Sequence, residues 1–290
     1  MIACCTIWGL SPLFYALIDH VPPPDVLVHR TIWSFVFFGL VIVWQGRVRE
    51  LRLALSHPRQ IAWVFLAAAM IAVNWLLFIN AIQIGKVSES ALGYYMLPLF
   101  SILFGLVLFR EALRLLQWVA VGLAAAAVLI LTYGLGAAPW ISLTLGVTFA
   151  IYGVLKKRVE AGPVLSVTAE MVVLLPIALI WLVFWTGGEW RDPVTLFLLV
   201  LSGPMTATPL ILFSYAARNI RLSTVGIMQY LNPSLQFLTA LFFFSEAMTI
   251  WHAIAFPLIW LALAIYSWVS VKEERKARRA STSVPVSEFT

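Results

Sequence analysis

Apolar residues run along this chain in long stretches, separated by short clusters of proline, glycine and charge. A helix needs about 20 apolar residues to cross the hydrocarbon core of a bilayer. Runs near that length are ten: 2–18, 26–44, 61–83, 89–109, 115–133, 139–155, 164–185, 194–216, 223–243 and 250–270. The breaks carry turn or charge signals, as in Val21-Pro-Pro-Pro-Asp25 and the segments 46–60, 134–139, 156–163 and 187–193. Tryptophans stand near many run ends (Trp44, Trp63, Trp118, Trp140, Trp185, Trp251, Trp268), where amphipathic rings form interfacial belts. The pattern predicts an all-α integral membrane protein of ten transmembrane helices.

The runs are duplicated. Residues 78–112 return at 213–247 with a constant offset of 135. At that offset Ser88 meets Ser223, Tyr95 meets Tyr230, Pro98 meets Pro233 and Glu111 meets Glu246, while Lys86 faces Arg221. Hydrophobicity alone explains matched leucines and phenylalanines, but not a base, Ser, Tyr, Pro and Glu held in register. Five spans per copy is odd, so the second copy enters the membrane upside down. The expected organisation is two inverted five-helix repeats, 1–133 and 139–270, followed by a basic tail, 271–290. Inverted repeats are the architecture of many secondary transporters, with the solute bound where the copies meet.

Composition agrees with embedding: 62% of residues are hydrophobic and 11% charged, far from the balance of soluble domains. Charge then sets orientation. With the N-terminus in the cytoplasm, one side collects Arg47, Arg49, Arg52, Arg59, Arg110, Arg114, Lys156, Lys157, Arg158, Arg218, Arg221, Lys272, Arg275, Lys276, Arg278 and Arg279, out of 19 basic residues in all. The other side holds Arg30, Lys86 and Arg191. The positive-inside rule places both termini in the cytoplasm. The net charge of +6 is this asymmetry, so the expected partner of the tail is anionic lipid, not nucleic acid. Cys4 and Cys5, adjacent in sequence, read as small lipid- or helix-facing residues. The first run starts almost at Met1 and lacks a basic leader region and a cleavage site; it is expected to be a retained span with some residues preceding it.

Several motifs occur at fixed places in this frame: His29-Arg30-x-x-Trp33-Ser34 opening span 2; Asn74-Trp75-Leu-Leu-Phe-Ile in span 3; Glu89-Ser-Ala-Leu-Gly93-Tyr94 leading to Pro98 in span 4; and Arg221-Leu-Ser-Thr-Val-Gly226 with Gln229-Tyr230 and Pro233 in span 9. As a set they resemble the RarD branch of the EamA-type transporters, in the drug/metabolite transporter superfamily, from Trp8 to about Tyr266. The resemblance implies a ten-helix inner-membrane permease with both termini inside. It departs at the N-terminus, where such proteins carry more residues before the Trp-Gly of span 1. It does not name the solute.

Polar residues at membrane depth are the candidate site, because a charge at a helix centre costs about 2.5–3.5 kcal/mol on insertion scales. Arg30 and Glu170 lie in equivalent spans, 2 and 7, on opposite sides of the midplane. Their depths differ by about 14 Å at helical rise, too far for a direct pair. Arg30 either snorkels to the outer interface beside Asp25 or lines a pathway, attracting an anionic group or steadying backbone carbonyls. Glu170 is either neutralised by protonation or lines the inner end of that pathway as a proton-responsive group. His29 reads as interfacial. Asn74, with Asn80 and Gln83 near the same face, serves either interhelical hydrogen bonding or, beside Trp75, the solute. Pro98 and Pro233 are expected to kink their helices and free carbonyls against a wet cavity, near the pseudo-two-fold axis. Trp33, Tyr94, Tyr95, Gln229, Tyr230 and Asn232 complete the expected substrate-binding set. Pro204 and Pro209, with Thr206 and Thr208, suggest another broken helix. Glu111 and Glu246, each just before a helix, read as scaffold, favoured by the positive helix N-terminus.

The leading function is secondary-active transport of a small organic solute, metabolite or drug-like, by alternating access, with export the expected direction. An intramembrane enzyme would need a nucleophile with its base or a metal cluster. The chain has no P-loop, H-E-x-x-H or G-x-S-x-G, and its four histidines stand at span ends. No catalytic residue, cofactor or metal is expected. A scaffold or sensor without transport is the alternative, and it would leave the intramembrane charges without a role. The expected partners are the solute and membrane lipid, with a homodimer left open.

Overall fold

The computed structural model describes residues 1–109, 115–136, 139–156, 158–219 and 228–282, without the side chains of 98, 101–102, 105–109, 135, 189, 214–219, 270 and 273–282. The described residues form helices joined by short turns: α1 (Ile2–Ala16), α2 (Pro23–Trp44), α3 (Val48–Ala54), α4 (Pro58–Gln83), α5 (Val87–Phe109), α6 (Leu115–Leu135), α7 (Trp140–Lys156), α8 (Pro163–Phe184), α9 (Pro193–Asn219), α10 (Leu231–Phe242) and α11 (Ile250–Thr282). Six of them (α2, α4, α6, α8, α9 and α11) are long and apolar enough to cross a membrane. α1 and α7 are shorter apolar helices. Every apolar run of the sequence contains one helix. The exception in detail is run 223–243, whose first residues lie outside the described part. α3, inside the connection 46–60, and the extension of α11 to Thr282 were not expected.

Local chemistry sets the boundaries. Proline opens α2, α4 and α8 at their first turn, where its missing N–H has no helical partner to lose. α2 and α4 end on Gly46 and Gly85 at φ +67° and +69°. There Arg47 N–H reaches Ile42 C=O at 3.0 Å and Lys86 N–H reaches Ala81 C=O at 2.8 Å, closing the last turns as only an achiral residue does without strain. Inside the helices, hydroxyls return to the backbone near the prolines: Ser11 to Trp8 C=O at 2.7 Å beside Pro12, and Ser202 to Leu199 C=O at 2.6 Å before Pro204. α9 runs as one helix through Pro204 and Pro209, and α5 as one helix through Pro98. In the second half the helical turns at 228–229 and α10 are separated at Tyr230, three residues before Pro233.

The two halves of the chain interlock. The most extensive packing joins α1 to α9 and α10, α2 to α8 and α9, α4 to α7 and α8, α5 to α7 and α10, and α6 to α11. Large apolar side chains also face outward, among them Trp44 (87% exposed), Phe242 (76%) and Phe184 (73%), as a lipid-facing surface requires.

Connections sort to two ends. At one, the basic end, Glu160 N–H meets Gln60 Oε1 at 3.2 Å and Arg158 lies over the Trp63 ring at 5.9 Å. At the other, Gln83 donates to Val21 C=O at 2.8 Å, His20 bonds Thr195 at 3.0 Å, and Asp25 accepts from Trp181 Nε1 at 2.6 Å and Thr186 at 3.2 Å. Beside them Asp192 receives both the N–H and the hydroxyl of Thr195, which holds its carboxyl below the ordinary range. Glu246 also lies at this end. It accepts from the backbone N–H groups of Val87 and, at 3.0 Å, Ser88, so it caps α5 and not the helix that follows it in sequence. Its counterpart Glu111 lies outside the described residues. Glu246→Ala is expected to lower the melting temperature of the detergent-solubilised protein, with a cap's usual cost of about 0.5–2 kcal/mol. An unchanged melting curve would remove the capping role.

Candidate functional site

A cavity of about 460 Å³ lies between the halves, within the range of small-molecule sites. Its wall takes side chains from α1, α2, α4, α5, α7, α8, α9 and α10. Much of it is a chain of rings in edge contact. Tyr15, Phe78, Tyr94, Phe149 and Tyr152 follow one another at centroid separations of 6.0, 5.9, 5.9 and 5.7 Å. The cavity reaches the basic end through Lys156, Ala161 and Pro163. Among the described residues, none that lines it comes from the turns at the opposite end.

Arg30 enters the wall from the second turn of α2. Its guanidinium stacks over Trp75 at 4.0 Å and lies 5.6 Å from the Tyr15 centroid. The side chain is buried, and its Nε and Nη1 have no hydrogen-bond partner among the described residues. Arg30 therefore neither snorkels nor pairs with Asp25, whose carboxylate is taken by Trp181 and Thr186. His29, expected at the interface, is buried as well, with Nε2 unpartnered among the described residues.

Glu170 is 0% exposed and has a basic partner. Lys156 Nζ donates to it at 2.6 Å, Tyr152 hydroxyl at 3.0 Å and Ser166 hydroxyl at 3.3 Å. Lys156, grouped in the sequence with its basic neighbours on the surface, turns inward and also bonds Ser166. Glu170 itself stands behind the lining residues Tyr152, Lys156 and Ser166. One signal for this was in the sequence. Thr148, Tyr152 and Lys156 fall at four-residue spacing on one face of α7, and Ser166 and Glu170 do so on α8.

Asn74 is fully buried and does not line the cavity. It donates to Leu145 C=O at 2.8 Å and Thr148 at 2.9 Å, and accepts from Tyr94 hydroxyl at 3.1 Å. It thus ties α4 to α7 and fixes the ring of Tyr94 in the wall. Gln83 turns instead to the α1–α2 connection. Tyr94, Gln229, Tyr230, Asn232 and Pro233 do line the cavity. Tyr95 and Trp33 do not. Tyr95 bonds Ser234 at 2.7 Å and borders a separate groove between α5, α10 and α11, because its neighbour Tyr94 occupies the inward face of α5. Trp33 backs onto α9, where a Cβ on Gly203 would stand 2.5 Å from the Trp33 carbonyl carbon. The side chain of Pro98 lies outside the description. Lining residues not singled out from the sequence include Trp8, Tyr15, Thr206 and Gln236.

Comparisons with known proteins agree with this architecture. Residues 1–133 match the EamA-like transporter family. An uncharacterized transporter of Pseudomonas aeruginosa is 37% identical over 93% of this chain and 92% of its own length. Protein RarD of Streptomyces exfoliatus is 39% identical, covering 93% of this chain and 88% of that one. A crystal structure of another protein superposes with a TM-score of 0.63 at 17% identity, over 93% of this chain and 96% of that one, a likeness of fold alone. The duplicated apolar runs, the cavity between the halves and these relatives converge: the chain belongs to the EamA-like transporter family, as a RarD-type member.

Proposed function

We propose that this membrane transporter is a secondary-active permease of the bacterial inner membrane, built from ten transmembrane helices in two inverted repeats, 1–133 and 139–270, that moves a small organic solute by alternating access. The carrying observation is the cavity between the halves, which reaches the basic end and draws none of its described lining from the turns at the other end. That is the form expected of one access state. Exchanging α1 with α7, α2 with α8, α4 with α9, α5 with α10 and α6 with α11 leaves the nine most extensive helix pairs unchanged, which supports the pseudo-two-fold axis. The family match ending at residue 133 supports the same division.

In this reading the basic end is cytoplasmic and the cavity admits solute from that side, in keeping with export. Arg30, Tyr94, Gln229, Tyr230, Asn232 and Pro233 contact the solute, while Asn74 and Glu170 position the wall. Tyr95 and Trp33 support the helices around it. Reporter fusions after Arg59 and after Arg278 are both expected to read cytoplasmic; a periplasmic reading at either breaks the inverted-repeat assignment. The transport reading itself is tested by screening solutes for uptake and efflux in proteoliposomes containing the purified protein. A scaffold or sensor would give no saturable flux with any of them.

A further inference from the structure

We propose that the solute is an organic monoanion: a single carboxylate, seated on Arg30, carried by an aromatic or other apolar body that lies against the rings of the cavity. The proposal rests on the permease reading only for the word solute; the binding site is argued from geometry.

Among the described residues two cations line the cavity, Arg30 and Lys156. Lys156 is matched by Glu170 at 2.6 Å. Arg30 forms no salt bridge among the described residues, and its Nε and Nη1 are buried without a hydrogen-bond partner. The charge count of this wall is therefore one positive charge in excess. A buried ion without a counter-ion is strongly unfavourable, and the ring stacking on Trp75 answers only part of it. Stacking uses the face of the guanidinium; its N–H donors lie in the plane, at right angles to that contact, and those of Nε and Nη1 remain unmet. Each edge of that plane pairs Nη2 with Nε or with Nη1, and either pair matches a carboxylate in two parallel hydrogen bonds. One excess charge balances a monoanion and falls short of a phosphate dianion. Beyond the guanidinium most of the wall is apolar and aromatic (Phe78, Tyr94, Phe149), with Gln229, Asn232 and Gln236 as polar points in it, so the remainder of the solute is expected to be largely apolar.

Trp75, stacked on Arg30, supplies the readout. Purified full-length protein would be titrated with phenylacetate, indole-3-acetate and octanoate, with the matching amides, and with phenethylamine, following tryptophan fluorescence and melting temperature. The expected result is saturable binding of at least one carboxylate, with its amide at least tenfold weaker and the amine inactive. Arg30→Lys should weaken that carboxylate and Arg30→Gln abolish it. Equal binding of acid and amide by the parent protein overturns the proposal without any variant. So does unchanged carboxylate binding in Arg30→Gln, or no binding by any of the acids. A shift with sodium chloride alone, absent with the organic acids, assigns the site to an inorganic ion and also overturns it. Counterflow of the bound acid in proteoliposomes separates the two readings: binding without flux removes the permease and leaves the site, whereas flux restricted to cations or neutral solutes removes the site and leaves the permease.

Discussion

Lys156→Met is expected to lower the melting temperature of the solubilised protein sharply, whereas Lys156→Met combined with Glu170→Gln should melt near the parent. Breaking a buried ion pair from one side strands the other charge, at a cost of about 3–5 kcal/mol in closed sites. Here the lower part of that range applies, because the Lys156 side chain is 22% exposed and the cavity beside it admits water. The two single variants should also differ. Glu170, 1% exposed at its side chain, cannot reach water once Lys156 is gone. Lys156, near the mouth, can be hydrated once Glu170 is neutral. Glu170→Gln should therefore reach the membrane in near-normal abundance, keep the neighbouring hydroxyl contacts, and yet reduce transport or flatten its pH dependence. Transport equal to the parent from about pH 5.5 to 8 would exclude proton sensing by Glu170. Collapse of abundance in this variant would make the residue purely structural.

A second large effect is expected at Gly93, where α5 and α7 meet backbone to backbone. A Cβ at Gly93 would stand 2.8 Å from Ser142 C=O and 2.9 Å from Leu145 Cβ, and one at Gly146 would stand 2.6 Å from the Phe100 ring. Ser142 hydroxyl donates to Glu89 C=O at 2.6 Å across the same crossing, so the helices cannot slide apart without losing that bond. Small residues allow such approach between membrane helices. Gly93→Ala should cost about 1–3 kcal/mol, and Gly93→Val more, with loss of protein from the membrane fraction. Because Tyr94 follows directly, the variants that survive should also transport poorly. Gly122→Ala, which meets nothing within 4 Å, is the matched control. Identical melting of Gly93→Ala and Gly122→Ala would show that this crossing is not close-packed.

How far the site was legible follows the same division. Arg30, Tyr94, Gln229, Tyr230, Asn232 and Pro233 could be found as candidates because a polar or helix-breaking residue inside an apolar run needs a reason wherever it points. Which way it points was not written locally. Tyr94 and Tyr95 are adjacent and chemically alike, but a helix turns about 100° per residue, so one faces the cavity and the other a lateral groove. Lys156 was hidden by Lys157 and Arg158, since a run of bases at a helix end has the same pattern whether its first member faces lipid headgroups or a buried carboxylate. Asn74 was legible as polar and buried, while its service to Tyr94 depended on where α7 lies.

The sequence by itself determined where the apolar helices lie and where several of them begin or end. Hydrophobic length, proline at first turns and glycine at last turns are local properties, fixed by bilayer thickness and backbone geometry. The repeat at offset 135 was likewise legible, because duplication leaves identity in register. Only the tertiary structure decided that Lys156 answers Glu170, that Glu246 caps a helix far from it in sequence, and that Arg30 is left with a stacked face and an unmet edge. Each of these depends on contacts between separate segments of the chain, and in a membrane helix the sequence spacing gives the face of a side chain but not the neighbour that face meets.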